Sequence, residues 1–435
     1  MFTTYEEALN WIHATRTFGE KPGLKRMEWM LGKLGHPEKK FKSIHIAGTN
    51  GKGSTLAFLR NMLEANGQIV GTFTSPYIEM FNERVSVNGE PLSDDEILRL
   101  ANTVYPLTEE LKKIDLGGPS EFEIITMMML IYFGEGHADV VLVEVGIGGL
   151  YDSTNVINPV VSVITTIGMD HMNLLGETLS EIAMNKAGII KTAVPVVTGK
   201  IGQEALEVIE QKATDQDSTV MKYNKDFFVT KWQTLPTWGE QFVFEDDFMR
   251  LSPIQIEMLG RHQVENAAVA IETLRVYSHE TGLAVNHEKV RSGLKNTFWP
   301  GRMEKINDQP LLILDGAHNE HAIKTLVETI KKNFAQQEIS IIMAAMRDKD
   351  IQGMTDQLQT IPNSRLILTS FNYPRAAGID DLTKLMLKNG TVIEHWQEAL
   401  VESLNEMDGN GVVIVTGSLY FVSEVREYVK AANKE

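Results

Sequence analysis

One glycine-rich segment constrains the fold of this 435-residue chain more than any other feature. It reads Gly48-Thr49-Asn50-Gly51-Lys52-Gly53-Ser54-Thr55 and directly follows Ser43–Ala47, a short apolar run typical of a buried strand. Behind it, Ser54–Asn66 has apolar residues at helical spacing, and Gly67 suits the end of that helix. A strand, a glycine turn and a helix in this order predict a phosphate-binding loop, because a helix N-terminus directs backbone N–H groups at an anion.

The residue types of this loop suit the phosphates of ATP. Lys52 would reach the terminal phosphates, and the hydroxyls of Ser54 and Thr55 could bind phosphate or Mg²⁺. The spacing is unusual, because Ile46 stands at the usual first glycine position and Gly53 separates Lys52 from Ser54. A plain glycine turn is the alternative interpretation. The coincidence of glycine, lysine and hydroxyl groups at one strand–helix junction favours ATP binding.

Composition and charge exclude several classes of function. The formal net charge of −17 argues against sequence-independent nucleic-acid binding and against an anionic membrane surface. The chain has no cysteine, which excludes disulfides, zinc–thiolate sites and cysteine nucleophiles. Its first residues lack the pattern of a signal peptide, and the apolar stretch Ile124–Phe133 is too short to span a bilayer. We therefore expect a cytoplasmic protein that binds neither nucleic acid nor membrane.

The order of apolar segments predicts an α/β chain with two domains. Continuous apolarity in Asp139–Val145 and Val160–Ile167 is typical of parallel strands buried on both faces. The other elements predicted before residue 298 are strands at Ile69–Phe73 and Val194–Val197, helices in the first forty residues, Glu177–Ile190 and Asn266–Tyr277, and a small β-rich patch from about Val220 to Glu257. We expect a P-loop ATPase-like domain with a mainly parallel sheet over residues 1–297.

The pattern restarts after Phe298-Trp299-Pro300-Gly301-Arg302, which predicts a smaller Rossmann-like α/β domain over residues 298–435. Its strands are expected at Leu311–Leu314, Ile339–Met343, Arg365–Leu368 and Val412–Thr416, with helices starting near Glu320, Asp350, Ile379, Trp396 and Tyr420. The absence of coiled-coil heptads favours a monomer.

Further short motifs follow one another along almost the whole chain. They are Pro22-Gly23-Leu24-Lys25-Arg26-Met27, Thr74-Ser75-Pro76, Asn82-Glu83-Arg84, Glu121-Phe122-Glu123, Glu144-Val145-Gly146-Ile147-Gly148-Gly149, Asp152-Ser153-Thr154-Asn155, Asp170-His171, Lys186-Ala187-Gly188-Ile189-Ile190-Lys191, Gly301-Arg302, Asp315-Gly316-Ala317-His318-Asn319 and Thr416-Gly417-Ser418-Leu419-Tyr420. Together with the glycine-rich loop, this ordered set resembles the folylpolyglutamate synthases, which are members of the Mur ligase superfamily.

The resemblance implies a ligase that joins L-glutamate to a reduced folate through an acyl phosphate. ATP would phosphorylate the terminal carboxylate of the folate, and the amine of glutamate would then displace phosphate, giving ADP, phosphate and an amide. The sequence departs from the family at Leu150-Tyr151, where many members carry Arg-Leu, and at Glu320, where a proline is frequent. The first departure leaves open whether dihydropteroate is also a substrate, as in bifunctional dihydrofolate synthases.

Two Mg²⁺ sites are implied by the same resemblance. Glu144 ends a buried strand, where a carboxylate suits Mg²⁺, although a solvated acid is equally compatible with its position. Ser75 would be a further Mg²⁺ ligand. His171 and Lys186 would serve the second ion, with Lys186 converted to a carbamate by CO₂. From residue chemistry alone, a structural histidine and a solvated lysine are the simpler interpretations.

The remaining site residues are also assigned by resemblance. Asn266 would contact adenine, and Arg302 would bind phosphates through its planar fork. Asp315 would touch the ribose or orient Arg302, and His318 would contact phosphate or the incoming glutamate. The residues implied in catalysis are Lys52, Glu144, His171, Lys186 and His318. In the loop after Pro76, Tyr77 and Phe81 either pack against the flat rings of folate or only within the loop.

Two other functions compete with this interpretation. A ligase for UDP-linked muramoyl peptides would carry an additional N-terminal domain, and the 47 residues before Gly48 are too few for one. A non-catalytic nucleotide switch would not need Glu144, His171 and Lys186 together, nor a second α/β domain. The sequence therefore favours the folate ligase.

Overall fold

The computed structural model describes residues 1–15, 23–407 and 409–432, so Pro22 of the first motif lies outside the described residues. The chain forms two compact units. The first comprises Met1–Gln233, Gln241–Gln255 and Val264–Thr297, and the second comprises Thr234–Glu240, Ile256–Gln263 and Phe298–Glu435. Both are α/β units with mostly parallel sheets, which confirms the predicted fold class. The domain limits 1–297 and 298–435 stay a prediction.

Strands before residue 298 form a large sheet and a separate small one. They are β1 (Ser43–Ala47), β2 (Val70–Phe73), β3 (Val85–Val87), β4 (Glu90–Pro91), β5 (Val140–Glu144), β6 (Val161–Ile164), β7 (Val196–Thr198), β8 (Val220–Lys222), β9 (Phe227–Thr234), β10 (Glu240–Asp246) and β11 (Arg250–Ile256). The large sheet has the order β4-β3-β2-β5-β1-β6-β7-β8, parallel from β2 to β8, whereas β3 and β4 pair antiparallel. The small sheet has the order β11-β10-β9. The β-rich patch predicted from about Val220 to Glu257 is confirmed: β9, β10 and β11 form the small sheet, and β8 at its start joins the large one.

The same part of the chain also forms helices, several of which pack on the large sheet or on one another. They are α1 (Tyr5–Ala14), α2 (Lys25–Lys33), α3 (Lys52–Ala65), α4 (Asp94–Leu111), α5 (Glu121–Gly134), α6 (Met172–Leu175), α7 (Leu179–Ala187), α8 (Gln203–Thr214), α9 (Arg261–Thr281) and α10 (His287–Lys295). Val141 and Val143 of β5 pack with buried residues of α1, α2, α4 and α5, and α3 packs on β1, β2 and β5. The central strands are thus covered on both faces, which explains their continuous apolar sequences.

Helix α5 contains the apolar stretch Ile124–Phe133 and is almost completely buried. Ser120 and Glu123 form a capping box at its start, which satisfies two N–H groups that have no partner within the helix. The Glu123 carboxylate also accepts a hydrogen bond from Arg26 Nε of α2 at 2.9 Å. No helix in the described parts of the chain is long and apolar enough to cross a membrane.

The second unit contains a six-stranded sheet with the order β12-β13-β17-β14-β15-β16. Its strands are β12 (Glu304–Asp308), β13 (Leu311–Leu314), β14 (Ile339–Met343), β15 (Ser364–Ser370), β16 (Gly390–His395) and β17 (Val412–Thr416). Its helices are α11 (Glu320–Phe334), α12 (Ile351–Leu358), α13 (Ile379–Leu382), α14 (Trp396–Glu406) and α15 (Leu419–Ala432). Only β12 pairs antiparallel, and alternate residues of the inner strands enter two separate apolar clusters. The predicted strands and helix starts of this unit are confirmed to within a few residues.

Close packing between β2 and α5 yields a stability prediction. A methyl group added by Gly71→Ala would overlap the ring of Phe133, whereas Gly32→Ala adds its methyl group to α2 in open space. We expect Gly71→Ala to lower the free energy of unfolding by about 1–3 kcal/mol. Gly32→Ala should raise it by about 0.5–1 kcal/mol. Urea unfolding of both variants measures the difference, and equal stabilities would contradict this packing.

Candidate active site

The glycine-rich loop joins β1 to α3 and lies against the end of β6. At Gly48 the backbone has φ 152°, and a Cβ atom there would overlap the hydroxyl of Thr165. The carbonyl of Asn50 accepts hydrogen bonds from the hydroxyls of Thr165 and Thr166 at 2.6 and 3.0 Å. The N–H of Thr49 donates to the carbonyl of Thr166 at 2.9 Å. The loop is therefore fixed from behind by two threonines that the sequence analysis missed.

The first turn of α3 offers the groups expected of an anion site. Gly51 precedes the helix in a left-handed conformation, φ 87°, and a Cβ there would overlap the side-chain oxygen of Asn266. Asn266 therefore lies beside the loop, while its contact with adenine stays a prediction. The hydroxyl of Thr55 is buried and has no hydrogen-bond partner among the described residues. Backbone N–H groups of a first helical turn lack partners within the helix, so this end of α3 is suited to phosphate.

Lys52, Ser75 and Glu144 meet at the C-terminal ends of neighbouring strands. Lys52 Nζ donates to the carbonyl of Gly48 at 3.1 Å and lies 3.9 Å from Glu144 Oε1. The N–H of Ser75 donates to Glu144 Oε2 at 3.3 Å. Glu144 is only 6% exposed, so its carboxylate is held in a largely dry position. Ligands of open α/β sheets bind at this edge.

Lys186 lies near the end of α7 and is only 4% exposed. Burial and the nearby charge of Lys52 lower the pKa of Lys186 to about 7, although the carboxylates of Asp170 and Asp152 oppose the shift. A large fraction of this amine is therefore neutral, and so nucleophilic, near neutral pH. The interpretation of Lys186 as a solvated surface lysine is excluded by its burial.

His171 lies at the start of α6 in a left-handed backbone conformation with φ 51°. Its side chain is 36% exposed, and its Nε2 lies 3.9 Å from Oδ2 of Asp170. The charge of Asp170, the residue before His171, also acts on Lys186. The ligand roles of His171 and Lys186 stay predictions.

A buried relay of polar groups supports the turn after Glu144. His45 Nε2 lies 2.8 Å from the Thr154 hydroxyl, which donates to Asp152 Oδ1 at 2.6 Å. The other oxygen of Asp152 accepts the N–H of Ile147 at 3.0 Å. Burial, with a smaller effect of the Lys191 charge, lowers the pKa of His45 to about 3, so a neutral imidazole donates in this relay. The sequence analysis noted the motif that contains Asp152 and Thr154, but it did not predict that His45 of β1 would contact Thr154.

The departure from the family pattern at Leu150-Tyr151 lies at the end of this turn. The N–H of Leu150 donates to the carbonyl of Asn185 at 2.8 Å, and the side chain packs close to Gly188. Tyr151 is 59% exposed. Leu150 thus helps to hold the turn against the end of α7, whereas the ring of Tyr151 is accessible from solvent.

Oxygen donors suited to Mg²⁺ are present at the ends of β2 and β5. They are the hydroxyl of Ser75, which accepts a hydrogen bond from Arg84 Nη1 at 3.1 Å, and the carboxylate of Glu144. Within residues 1–15, 23–407 and 409–432, no three His, Asp or Glu residues form a group that could hold a metal ion. Mg²⁺ commonly keeps several waters and binds substrate phosphates, so this partial donor set fits an ion shared with a nucleotide.

Arg302, Asp315 and His318 lie together in the second unit. The Asp315 carboxylate, just after β13, accepts the N–H groups of Met303 and Ala317 at 2.9 and 3.0 Å. Burial raises the pKa of Asp315, and the charge of Arg302 opposes that rise. The Nδ1 atom of His318 hydrogen-bonds to the backbone carbonyl two residues earlier at 2.8 Å. The three predicted residues thus form one local group, while their contacts with ATP stay predictions.

A buried ion pair supports the turn that carries Arg302. Arg426 Nε of α15 donates to both oxygens of Glu304 at 2.8 and 2.9 Å, and each residue is 5% exposed. Glu304 also accepts the N–H of Gly301 at 2.8 Å. The sequence analysis missed this pair, because its members lie 122 residues apart and each resembles an ordinary surface charge.

Two family models match the chain over the regions described above. The model of the Mur ligase middle domain covers residues 46–274, and the model of the Mur ligase glutamate ligase domain covers residues 301–419. The first includes the glycine-rich loop with Glu144 and Lys186, and the second includes Arg302, Asp315 and His318.

Named relatives match over nearly their whole length. The chain is 44% identical over 432 residues to the dihydrofolate synthase/folylpolyglutamate synthase of Bacillus subtilis (strain 168), covering 99% of this chain and 100% of that protein. It is 38% identical over 424 residues to the folylpolyglutamate synthase of Lacticaseibacillus casei, covering 97% and 98%. A solved FPGS–AMPPCP–folate complex matches with a TM-score of 0.86 and 37% identity, covering 98% of this chain and 100% of that chain.

The close approach at Gly48 predicts a loss of nucleotide binding without unfolding. The methyl group of Gly48→Ala would overlap the Thr165 hydroxyl and displace the loop, so we expect the affinity for ATP to fall at least about tenfold. Calorimetric titration with MgATP measures this change. Gly67→Ala is the matched control, because it places a side chain at φ 91° in open space and should only cost about 1–2 kcal/mol of stability. Equal ATP affinity in both variants would contradict the assignment.

Proposed function

The chain belongs to the folylpolyglutamate synthase family of Mur ligases, and from that premise we propose that it uses ATP to add L-glutamate to tetrahydrofolates. The observation that carries the proposal is the meeting of a phosphate loop with Lys52, Ser75 and Glu144 at one edge of a parallel sheet. The nearly full-length match to relatives named as folate ligases supports the same reaction. The enzyme is an ATP-dependent ligase.

The residues of the loop supply charge and positioning for phosphoryl transfer. The first turn of α3 would hold the ATP phosphates through its N–H groups, and Lys52 would move from the Gly48 carbonyl to a terminal phosphate. Thr55 has a buried hydroxyl available for a phosphate or its cation. In the activated folate, the acyl phosphate carbon is attacked by the glutamate amine, which forms the amide and releases phosphate.

We assign Mg²⁺ to Ser75 and Glu144, with a second ion near His171 and Lys186. When bound, the cation would neutralise charge on the phosphoryl group that moves from ATP to the folate carboxylate. Ser75 and Glu144 would hold the first ion through hard oxygen atoms, and the Arg84 contact would orient the Ser75 hydroxyl. Lys186 would contribute to the second site as a carbamate.

Several observations support the carbamate at Lys186. CO₂ reacts with a neutral amine, and burial together with Lys52 keeps the pKa of Lys186 near 7. The N–C bond forms as the amine loses one proton, and the product carries anionic oxygen atoms in place of an ammonium group. A carbamate would remove the charge repulsion between Lys186 and a metal ion.

Arg302, Asp315 and His318 are proposed to serve the nucleotide and the incoming glutamate. A guanidinium can bind phosphate through two parallel hydrogen bonds, and the buried Glu304–Arg426 pair fixes the turn from which Arg302 extends. Asp315 would orient Arg302 or bind the ribose, His318 would bind phosphate or glutamate, and Asn266 would bind adenine.

The monomeric state and the cytoplasmic location stay predictions from the sequence.

A bifunctional enzyme that also glutamylates dihydropteroate is the second candidate. The name of the Bacillus subtilis relative includes both activities, and this relative is 44% identical over its full length. Activity with dihydropteroate tests this candidate directly.

Turnover should require three substrates together. We expect phosphate release only when MgATP, tetrahydrofolate and L-glutamate are all present, because ATP must first phosphorylate the folate carboxylate and the glutamate amine must then displace phosphate from its acyl carbon. A coupled phosphate assay with each substrate omitted in turn measures this requirement. ATP hydrolysis that is independent of folate and glutamate would indicate a switch, and turnover on a UDP-muramoyl peptide would overturn the folate assignment.

Replacing Lys186 tests the proposed carbamate. Lys186→Ala should lower kcat by about 10–100-fold, because an anionic metal ligand is lost, and acetate or formate should restore part of the rate. In the wild type, activity should fall as pH drops through about 7, because protonated Lys186 cannot take up CO₂. Lys191→Ala is the control, since this half-buried lysine contacts a backbone carbonyl and should not respond to carboxylates. A wild-type rate for Lys186→Ala would disprove the role.

A further inference from the structure

The loop of residues 75–81 leaves the large sheet after β2 and returns before β3. Its base is fixed by the sheet, because the N–H of Thr74 donates to the carbonyl of Arg84 at 3.0 Å. Its far end is fixed by Asn82, whose side-chain amide nitrogen donates a hydrogen bond to the carbonyl of Leu92 at 2.8 Å. The conformation of the tip therefore depends on contacts made between these two anchors.

The carboxylate of Glu83 binds three consecutive N–H groups of this tip. Its Oε2 accepts the N–H of Ile78 at 2.8 Å, and its Oε1 accepts those of Glu79 and Met80 at 2.9 and 3.0 Å. Hydrogen bonds to an ionised carboxylate are about twice as strong as neutral ones. A single side chain thus fixes the backbone of the whole tip.

Two aromatic rings flank the residues that Glu83 binds. Tyr77 and Phe81 have ring centroids 6.2 Å apart, and the guanidinium carbon of Arg84 lies 5.1 and 5.9 Å from them. Phe81 is buried and its ring also contacts His13, whereas Tyr77 is half-buried. The tip therefore determines where the half-buried ring of Tyr77 lies, next to a guanidinium that also donates to the Ser75 hydroxyl.

We propose that Glu83 is a positioning residue for the folate substrate, which holds the Tyr77 ring where it can stack against the flat rings of the folate. Stacking on an aromatic face beside a guanidinium suits an extended heteroaromatic ligand. This inference rests on the proposed function, since it takes the ligand of the loop to be a folate.

The effect of Glu83 should appear in substrate affinity rather than in the chemical step. Ser75, Lys52 and Glu144 are held by contacts of their own with the ends of β1, β2 and β5, and none of these uses the Glu83 carboxylate. Losing an interaction that is equally strong in the ground and transition states raises KM and leaves kcat unchanged.

The test compares Glu83→Ala and Glu83→Gln with the wild type in the full-length enzyme. We expect KM for tetrahydrofolate to rise about tenfold for Glu83→Ala and about threefold for Glu83→Gln, because the amide retains only one acceptor oxygen. The kcat, the KM for ATP and the unfolding midpoint should stay near wild-type values. Glu7→Ala is the matched control, because Glu7 caps the N–H and hydroxyl of Thr3 in the same way on α1.

A double-mutant cycle separates positioning from a general structural role. If Glu83 acts through Tyr77, Glu83→Ala should add little to the KM increase already caused by Tyr77→Ala. Additive effects, an unchanged KM in Glu83→Ala, or an equal rise in the KM for ATP would each overturn the proposal. Absence of tetrahydrofolate turnover in the wild type would instead overturn the proposed function.

Discussion

The active site depends on the close contact between the glycine-rich loop and the end of β6. Gly48 leaves no room for a side chain against Thr165, and the Asn50 carbonyl accepts two hydroxyl groups from Thr165 and Thr166. These contacts fix the side of the loop that faces Thr165 and Thr166. The N–H groups in the first turn of α3 and the side chain of Lys52 can then bind a ligand. The parallel pairing of β1 with β5 then places Glu144 within 3.9 Å of Lys52. Loop geometry and strand pairing together thus bring a cation and a carboxylate to the proposed phosphate site.

Electrostatic coupling connects this site with Lys186. The charge of Lys52 contributes to the low pKa of Lys186, although burial has the larger effect. A bound triphosphate would neutralise Lys52, and a carbamate would turn Lys186 into an anion. Occupation of the loop and modification of Lys186 would therefore both make the local charge more negative, which favours the retention of Mg²⁺.

The sequence predicted the buried parallel strands more accurately than the edge strands and the apolar helix α5. The ranges of β1, β13, β14 and β17 agree with prediction residue for residue, because these parallel strands are short, mostly apolar runs buried within their sheets. Strands β12 and β16 were missed because they lie at sheet edges and have exposed, mixed sequences. Helix α5 was missed because it is apolar on all sides and lacks a helical period.

Candidate site residues were predicted where a local motif carries them, as with Lys52, Glu144 and Lys186. Partners from distant parts of the chain left no local signal. His45 and Thr154 are 109 residues apart, and Thr165 and Asn50 are 115 apart. In each pair one residue belongs to a sequence motif, and its partner lies outside that motif and is brought to it by the strand order. The family resemblance supplied roles, whereas the structure supplied the contacts that hold the residues in place.

The central claim is that this site activates a carboxylate by phosphorylation. Its most direct test follows oxygen-18 from the labelled terminal carboxylate of tetrahydrofolate during a reaction with MgATP and L-glutamate. An acyl phosphate retains one carboxylate oxygen on phosphorus when the amine attacks, so the account predicts one labelled oxygen in each phosphate released. Label that remains entirely in the folate product, with unlabelled phosphate, would contradict it.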